Sequence, residues 1–260
     1  MDIAAQLSSY YDHDTLKLPQ FFLFFSFIYV SAHKIFENWG PKHRYDACSC
    51  LLSFFHGTPS VILAVFALFL VKNTEKNQEI PTVFASENTP FQNLVLEFST
   101  SYFIMDLLHY FIFNPHDVLF IAHHLATLFT LLTCRFMVNH GAFAILVILV
   151  LAEVTSPLQN VWSLARLRKS DFRAAKKVYD FLSPGFYTFY TAVRGVFAPL
   201  FVIKMGFVYA SGAANSVIPR WVWGSWMLLT VSGIFASLLW ILSHWIEFYK
   251  DKFCKKEKLK

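Results

Sequence analysis

The chain has 260 residues, 56% of them hydrophobic, 15% charged and 30 of them Phe. Composition this apolar excludes a disordered segment and a water-soluble domain of ordinary make-up, and four cysteines are too few for a disulfide scaffold. The formal net charge of +5 falls mostly in loops and a tail beside apolar segments, where it addresses anionic lipid head groups and not nucleic acid. The fold class expected is an all-α polytopic membrane protein.

Seven apolar segments are long enough to cross about 30 Å of hydrocarbon. Before the first, Asp2, Asp12 and Asp14 stand where a cleavable signal would be positive, so a retained first span is expected over 18–33. It is dense in aromatics and closed by His33 and Lys34. The second span, 45–71, carries Cys48, Cys50, His56 and Pro59. Two residues apart on a helix, the cysteines point to different faces and read as core packing. Residues 72–90, with Asn73, Asn77, Pro81 and Pro90, read as a loop. The third span, 92–113, contains Asp106 and His109, and the fourth, 117–136, contains His123, His124, Thr127 and Cys134. Glu153 and Pro157 lie in the fifth, 141–163, which a polar stretch follows with a basic interfacial helix expected around 172–179. The sixth, 186–207, holds Arg194 and Pro199, and the seventh is 221–247. Each of Pro59, Pro157 and Pro199 removes a backbone hydrogen bond and is expected to kink its helix. No internal repeat divides the chain, so one domain is expected.

Seven spans place the termini on opposite sides. With the C-terminus cytosolic, the cytosolic segments hold 15 Lys and Arg residues, among them Arg44, Arg166, Arg168, Lys169, Arg173, Lys176 and Lys177, against 6 on the other side. The bias puts the N-terminus in the lumen and the C-terminus in the cytosol. Lys256 and Lys258 then form a KxKxx pattern, read either as an endoplasmic-reticulum retrieval signal or as a basic anchor. Cys254 is a palmitoylation candidate. No Asn-x-Ser/Thr sequon is present.

Asp106, His109, His123, His124 and Glu153 are ionisable residues within apolar segments, where a charge facing lipid costs roughly 2.5–3.5 kcal/mol. Counting helical rise from the cytosolic edge puts Asp106 and His123 about 10 Å deep, Glu153 and Arg194 about 14 Å and His56 about 17 Å. Shared depth on five helices points to one polar chamber open towards the cytosol. Within it, Asp106 and Glu153 could pair with Arg194, which would set helix register. Asp106 could also orient His109 one turn on, and Thr127 could hydrogen-bond a ring nitrogen of the histidine pair. His56 alone could be packing. Adjacent helical residues diverge by about 100°, so His123 and His124 cannot both face one ligand. A metal would need further histidines at i,i+3 or i,i+4, and the nearest, His116, is seven residues away from His123; no metal is expected.

Ser53-x-x-His56, Tyr102 with Asp106, the His123-His124 pair and Ala152-Glu153-x-Thr155-Ser156-Pro157-x-x-Asn160 together resemble the TLC domain, the superfamily of ceramide synthases, translocating-chain-associated proteins and small TLC-domain-containing proteins. The last are the most similar. The resemblance implies a six-helix TLC domain over 44–250 enclosing a lipid-sized cavity, with 1–43 adding a luminal N-terminus and the first helix, and 251–260 forming a basic cytosolic tail. Ceramide synthases carry a later His-Asp and a further Asp after the paired histidines; this chain has Glu153-Val154-Thr155 in that region.

Two functions stay open. One is a non-catalytic protein of the endoplasmic reticulum that binds membrane lipids in the polar chamber and acts in lipid homeostasis, without a cofactor. The other is an acyltransferase taking acyl-coenzyme A as substrate. There His123 or His124 would act as base or acyl acceptor, oriented by Asp106 or Glu153, with Arg194 on an anionic head group. The absent second His-Asp element favours lipid binding. Nothing in the sequence points to a transporter's inverted repeat, and it names no protein partner or oligomeric state.

Overall fold

A computed structural model describes residues 16–74 and 83–257, with only the backbone described at 42, 71–74 and 251–257. Asp2, Asp12, Asp14, residues 75–82 of the 72–90 loop and the side chains of Cys254 and of the terminal lysine pattern lie outside the described residues.

Among those residues the chain forms seven helical rods and no named strand. Helices α1 (Leu18–Ile35), α2 (Pro41–Thr74) and α3 (Pro90–Phe113) each make one rod. The fourth is α4 (Val118–Leu132), continued by a π-helical turn over Thr133–Val138. The fifth is α5 (Ala142–Glu153) with α6 (Ser156–Arg168), and the sixth is α7 (Arg173–Ala192), a second π turn (Val193–Phe197) and α8 (Ala198–Ala210). The last is α9 (Arg220–Glu257). Five rods are long and apolar enough to span a bilayer by length and composition: those containing α2, α4, α5 with α6, α7 with α8, and α9. The protein is an all-α, multi-pass membrane protein.

The rod that buries the most polar side chains, α3, is the central post. It packs against α1, α2, α4 and α5, and 14 of its 24 residues are buried, including Gln92, Glu97, Ser99, Thr100, Ser101, Asp106 and His109. Groups that would be costly against lipid are thereby given protein partners. Its start is fixed by a capping box: Gln92 N–H donates to Thr89 Oγ1 at 3.2 Å, and Thr89 N–H donates back to Gln92 Oε1 at 2.9 Å. Pro90 occupies the first turn, where no backbone donor is missed.

The corner after α4 turns on Asn139 (φ 52°) and Gly141 (φ 85°). It is tied to the preceding segment by Asn88, whose side chain donates to Cys134 O at 3.0 Å and accepts from Ala142 N–H at 2.9 Å. A side chain at Gly141 would meet Ile218 and Trp226.

The sequence places one span at 141–163, whereas the structure breaks it at Val154 and Thr155. Pro157 explains the break, because its ring excludes the carbonyl four residues back, that of Glu153. The polar stretch 164–184 is also largely helical: only 169–172 interrupt, and the basic segment at 172–179 is the first part of α7 and not a separate interfacial helix. Pro199 does not kink an α-helix but sits in the first turn of α8, after the π turn.

Gly57 lets α2 meet the break between α5 and α6. A Cβ there would stand 2.9 Å from Ser156 Cβ and 3.0 Å from Glu153 Oε2. Gly57→Ala should therefore lower stability by about 1–3 kcal/mol, read as a drop in the thermal transition of detergent-purified protein. Gly185→Ala, which meets nothing within 4 Å, should leave it unchanged or raise it. Equal transitions for the two variants would contradict the close approach.

Candidate functional site

Three helices converge on the Asp106 carboxylate, which is 2% exposed. Ser49 of α2 donates its hydroxyl to Oδ1 at 2.9 Å. Tyr102, one turn back on α3, donates to Oδ2 at 3.3 Å. His124 of α4 brings Nε2 to 2.9 Å from Oδ2, while its Nδ1 lies 2.8 Å from the Phe120 carbonyl. A carbonyl only accepts, so Nδ1 carries a hydrogen and the Nε2–Oδ2 contact holds one further proton between the two groups. Both nitrogens of His124 are committed.

His123 is the opposite case. The turn of about 100° between neighbours leaves it exposed, with no hydrogen bond to its ring among the described residues. Its ring meets Phe103 and His124 at centroid distances of 6.2 and 5.5 Å, and it stands within electrostatic reach of Arg194 and Asp106.

His56 is fully buried and stacked on Tyr102, with centroids 4.0 Å apart and planes within 5°. Its Nε2 lies 3.1 Å from Ser99 Oγ, and its Nδ1, 3.9 Å from Glu153 Oε2, has no hydrogen-bond partner. Glu153, 8% exposed, ends α5 within electrostatic reach of Arg194. Asn160 donates to Ser53 Oγ at 3.0 Å, tying α6 to α2 beside the same cluster.

Three contacts differ from those the sequence suggests. Arg194 makes no ion pair with Asp106 or Glu153 among the described residues. From the second π turn it donates to the Ala152 carbonyl, lies over the Tyr190 ring and keeps a buried Nε without a partner. The break after Glu153 orphans the last carbonyls of α5, and a cation satisfies a helix C-terminus well. Asp106 does not hold His109, whose Nδ1 is 2.7 Å from Tyr29 OH of α1; the carboxylate is taken by α2 and α4. Thr127 donates to the His123 backbone carbonyl at 2.9 Å and not to an imidazole, the ordinary fate of a helical threonine.

A second buried polar centre escapes the motif reading. Glu97 is 3% exposed, accepts from Arg135 Nε at 2.8 Å and accepts from the Lys17 backbone N–H at 2.7 Å. Glu97 satisfies the criterion that singles out Asp106, an ionisable group inside an apolar segment, so the signal is present in the sequence. Ser49 and Gly57 carry no such signal.

Of the five long apolar rods, α9 is the least buried. Between Trp226 and His244 none of its residues is buried, although Met227, Thr230, Ile234, Ser237 and Ile241 are half-buried along one stripe. A family model described as the TLC domain matches residues 46–246, which takes in nearly all of α2 to α9. The chain belongs to the TLC-domain family. It is also 54% identical over 238 residues to a TLC domain-containing protein of Arabidopsis thaliana, covering 90% of this chain and 91% of that one. No solved structure matches the chain. In this TLC domain His56, Tyr102, Asp106, His124 and Glu153 form a connected set of side chains drawn from four helices.

His123 and the carboxylate that holds His124 should respond differently to mutation. Asp106→Ala would leave the Ser49 and Tyr102 hydroxyls and a His124 nitrogen buried without an acceptor, at a cost of about 3–5 kcal/mol. His123→Gln, at an exposed ring, should cost no more than ~0.5 kcal/mol. Thermal unfolding of the purified variants measures both, and a His123 variant as destabilised as the Asp106 variant would refute the difference in their roles.

Proposed function

We propose that this TLC-domain protein binds a membrane lipid with its head group at His123 and Arg194 and its chains along the inner stripe of α9, and that it serves lipid homeostasis in the endoplasmic reticulum. The observation that carries the reading is the split of the histidine pair. His124 is spent on structure, while His123 presents an unbonded ring beside an arginine with a buried, unused Nε. An imidazole N–H and a guanidinium cation suit a phosphate, carboxylate or hydroxyl group. The stripe on α9 from Met227 to Ile241 offers the acyl chains a surface of their own kind.

Lipids co-purified in mild detergent and identified by mass spectrometry test this directly. Wild-type protein should retain one lipid class, and His123→Gln with Arg194→Gln should lose most of that occupancy while staying folded. Retention of the lipid by the folded double variant would exclude the site. An acyltransferase would instead turn over acyl-coenzyme A with a lipid amine or alcohol, and would lose that turnover in His123→Gln. Turnover of that kind would replace the binding reading with the catalytic one.

The Lys and Arg bias supports a luminal N-terminus and a cytosolic C-terminal segment, and Lys256 with Lys258 supports residence in the endoplasmic reticulum. A tag placed after Lys260 should be digested by protease added to sealed microsomes. Replacing Lys256 and Lys258 by Ser should release protein to later compartments, and a protected tag or unchanged retention would count against the respective assignment.

A further inference from the structure

The corner after α1 meets the corner between α6 and α7, and together they flank an open pocket of about 520 Å³ lined by Asn38, Trp39, Leu164, Arg168, Phe172 and Ala175. Small-molecule sites occupy roughly 300–1,000 Å³, so a polar head group fits and a whole lipid does not. Arg168 is the only charge in the lining. Its guanidinium carbon lies 4.7 Å from the Trp39 ring centroid and 4.5 Å from that of Phe172, so two rings brace the planar cation. The side chain is only 18% exposed, and its Nε is buried without a hydrogen bond. Asp171 comes within 3.4 Å of that nitrogen from a half-exposed position but does not satisfy it. A braced guanidinium with an unspent donor is built for bidentate contact with phosphate oxygens.

The surroundings favour a lipid as the source of that phosphate. Lys169, Arg173, Lys176 and Lys177 follow one another through the same corner and the start of α7, and they outnumber Asp171 and Asp180, the latter paired with Lys176, giving a positive potential that draws anionic lipids. Beside it Phe172, Val178 and Phe181 are exposed, Phe181 by 82%, an apolar face next to a basic one of the kind that lies at a membrane surface. Apart from Asn38 and Arg168 the lining is apolar or aromatic, a poor cradle for a free, fully hydrated anion.

We propose that this pocket binds the head group of an anionic phospholipid from the adjoining leaflet, its phosphate on Arg168 and its glycerol end on Leu164, Phe172 and Ala175. The site is separate from His123 and Arg194 and does not depend on their role.

Native mass spectrometry of the full chain in detergent, with phosphatidylinositol and phosphatidylcholine added in equal amounts, tests it. Wild-type protein should keep phosphatidylinositol in preference, and Arg168→Gln should lower that preference roughly tenfold, the effect of losing one charge-assisted contact. Lys204→Gln, which removes an exposed charge on α8 outside the pocket and away from His123 and Arg194, should leave it unchanged. Asp171→Asn removes the carboxylate that stands 3.4 Å from Arg168 Nε and should raise the preference by freeing the guanidinium. An unchanged preference in folded Arg168→Gln would overturn the proposal, as would no gain in Asp171→Asn should the arginine variant not fold. Displacement of the lipid by millimolar inorganic phosphate in wild type would also overturn it, by making the ligand a soluble anion.

Discussion

The carboxylate of Asp106 is the constraint on which the interior depends. A buried charge is tolerated only when its lone pairs are filled, and here the donors come from α2, from α3 itself and from α4. Those three bonds fix the rotation of each helix about its axis. With His124 turned inward to Asp106, its neighbour must turn outward by a fixed angle, and the exposure of His123 follows from the demand of a carboxylate it does not touch.

The same demand explains why the first helix belongs to the fold although the family match begins at residue 46. The flank of α3 facing α1 carries Glu97, Ser101 and His109, and α1 answers each: the Lys17 N–H meets Glu97, the Leu18 carbonyl accepts from Ser101 at 3.0 Å, and Tyr29 OH meets His109. Without that cover these groups would face lipid. Helix α1 therefore acts as a seal over a polar post, and its half-apolar, aromatic character suits a helix that has lipid on one side and hydrogen-bonding groups on the other.

Hydropathy made the seven rods readable from sequence, because bilayer thickness leaves little freedom in where an apolar segment starts and stops. It also isolated Asp106, His124, Glu153 and Arg194 as residues needing partners. It could not say which partner each would take. Arg194 looked like a mate for a carboxylate, yet the break at Pro157 frees backbone carbonyls that are nearer claimants, and a π turn aims the guanidinium at one of them. Local periodicity contains neither the break's geometry nor the π register. Gly57 was silent for a related reason: a glycine's value lies in what comes close to it, here Glu153 and Ser156 from a segment almost a hundred residues away. Glu97 was legible by the same rule as Asp106, and its partner Arg135 only through the tertiary fold.

Polar satisfaction also determines where a lipid could enter. Helix α3 is closed by α1 and α2 on one side and by α4 and α5 on the other, with its acids and histidines bonded into neighbours. What remains open is the stretch of α9 between Trp226 and His244. Its two ends are fastened, by Trp226 Nε1 donating to Thr133 at 2.8 Å and by His244 packed among Trp162, Tyr187 and Trp240. A helix pinned at both ends and unburied between them can admit an acyl chain along its middle without losing its attachment. Gly195, next to Arg194, meets Leu238 and Ile241 of that stretch, so under the proposed lipid-binding reading lipid access and fold stability would rest on different residues.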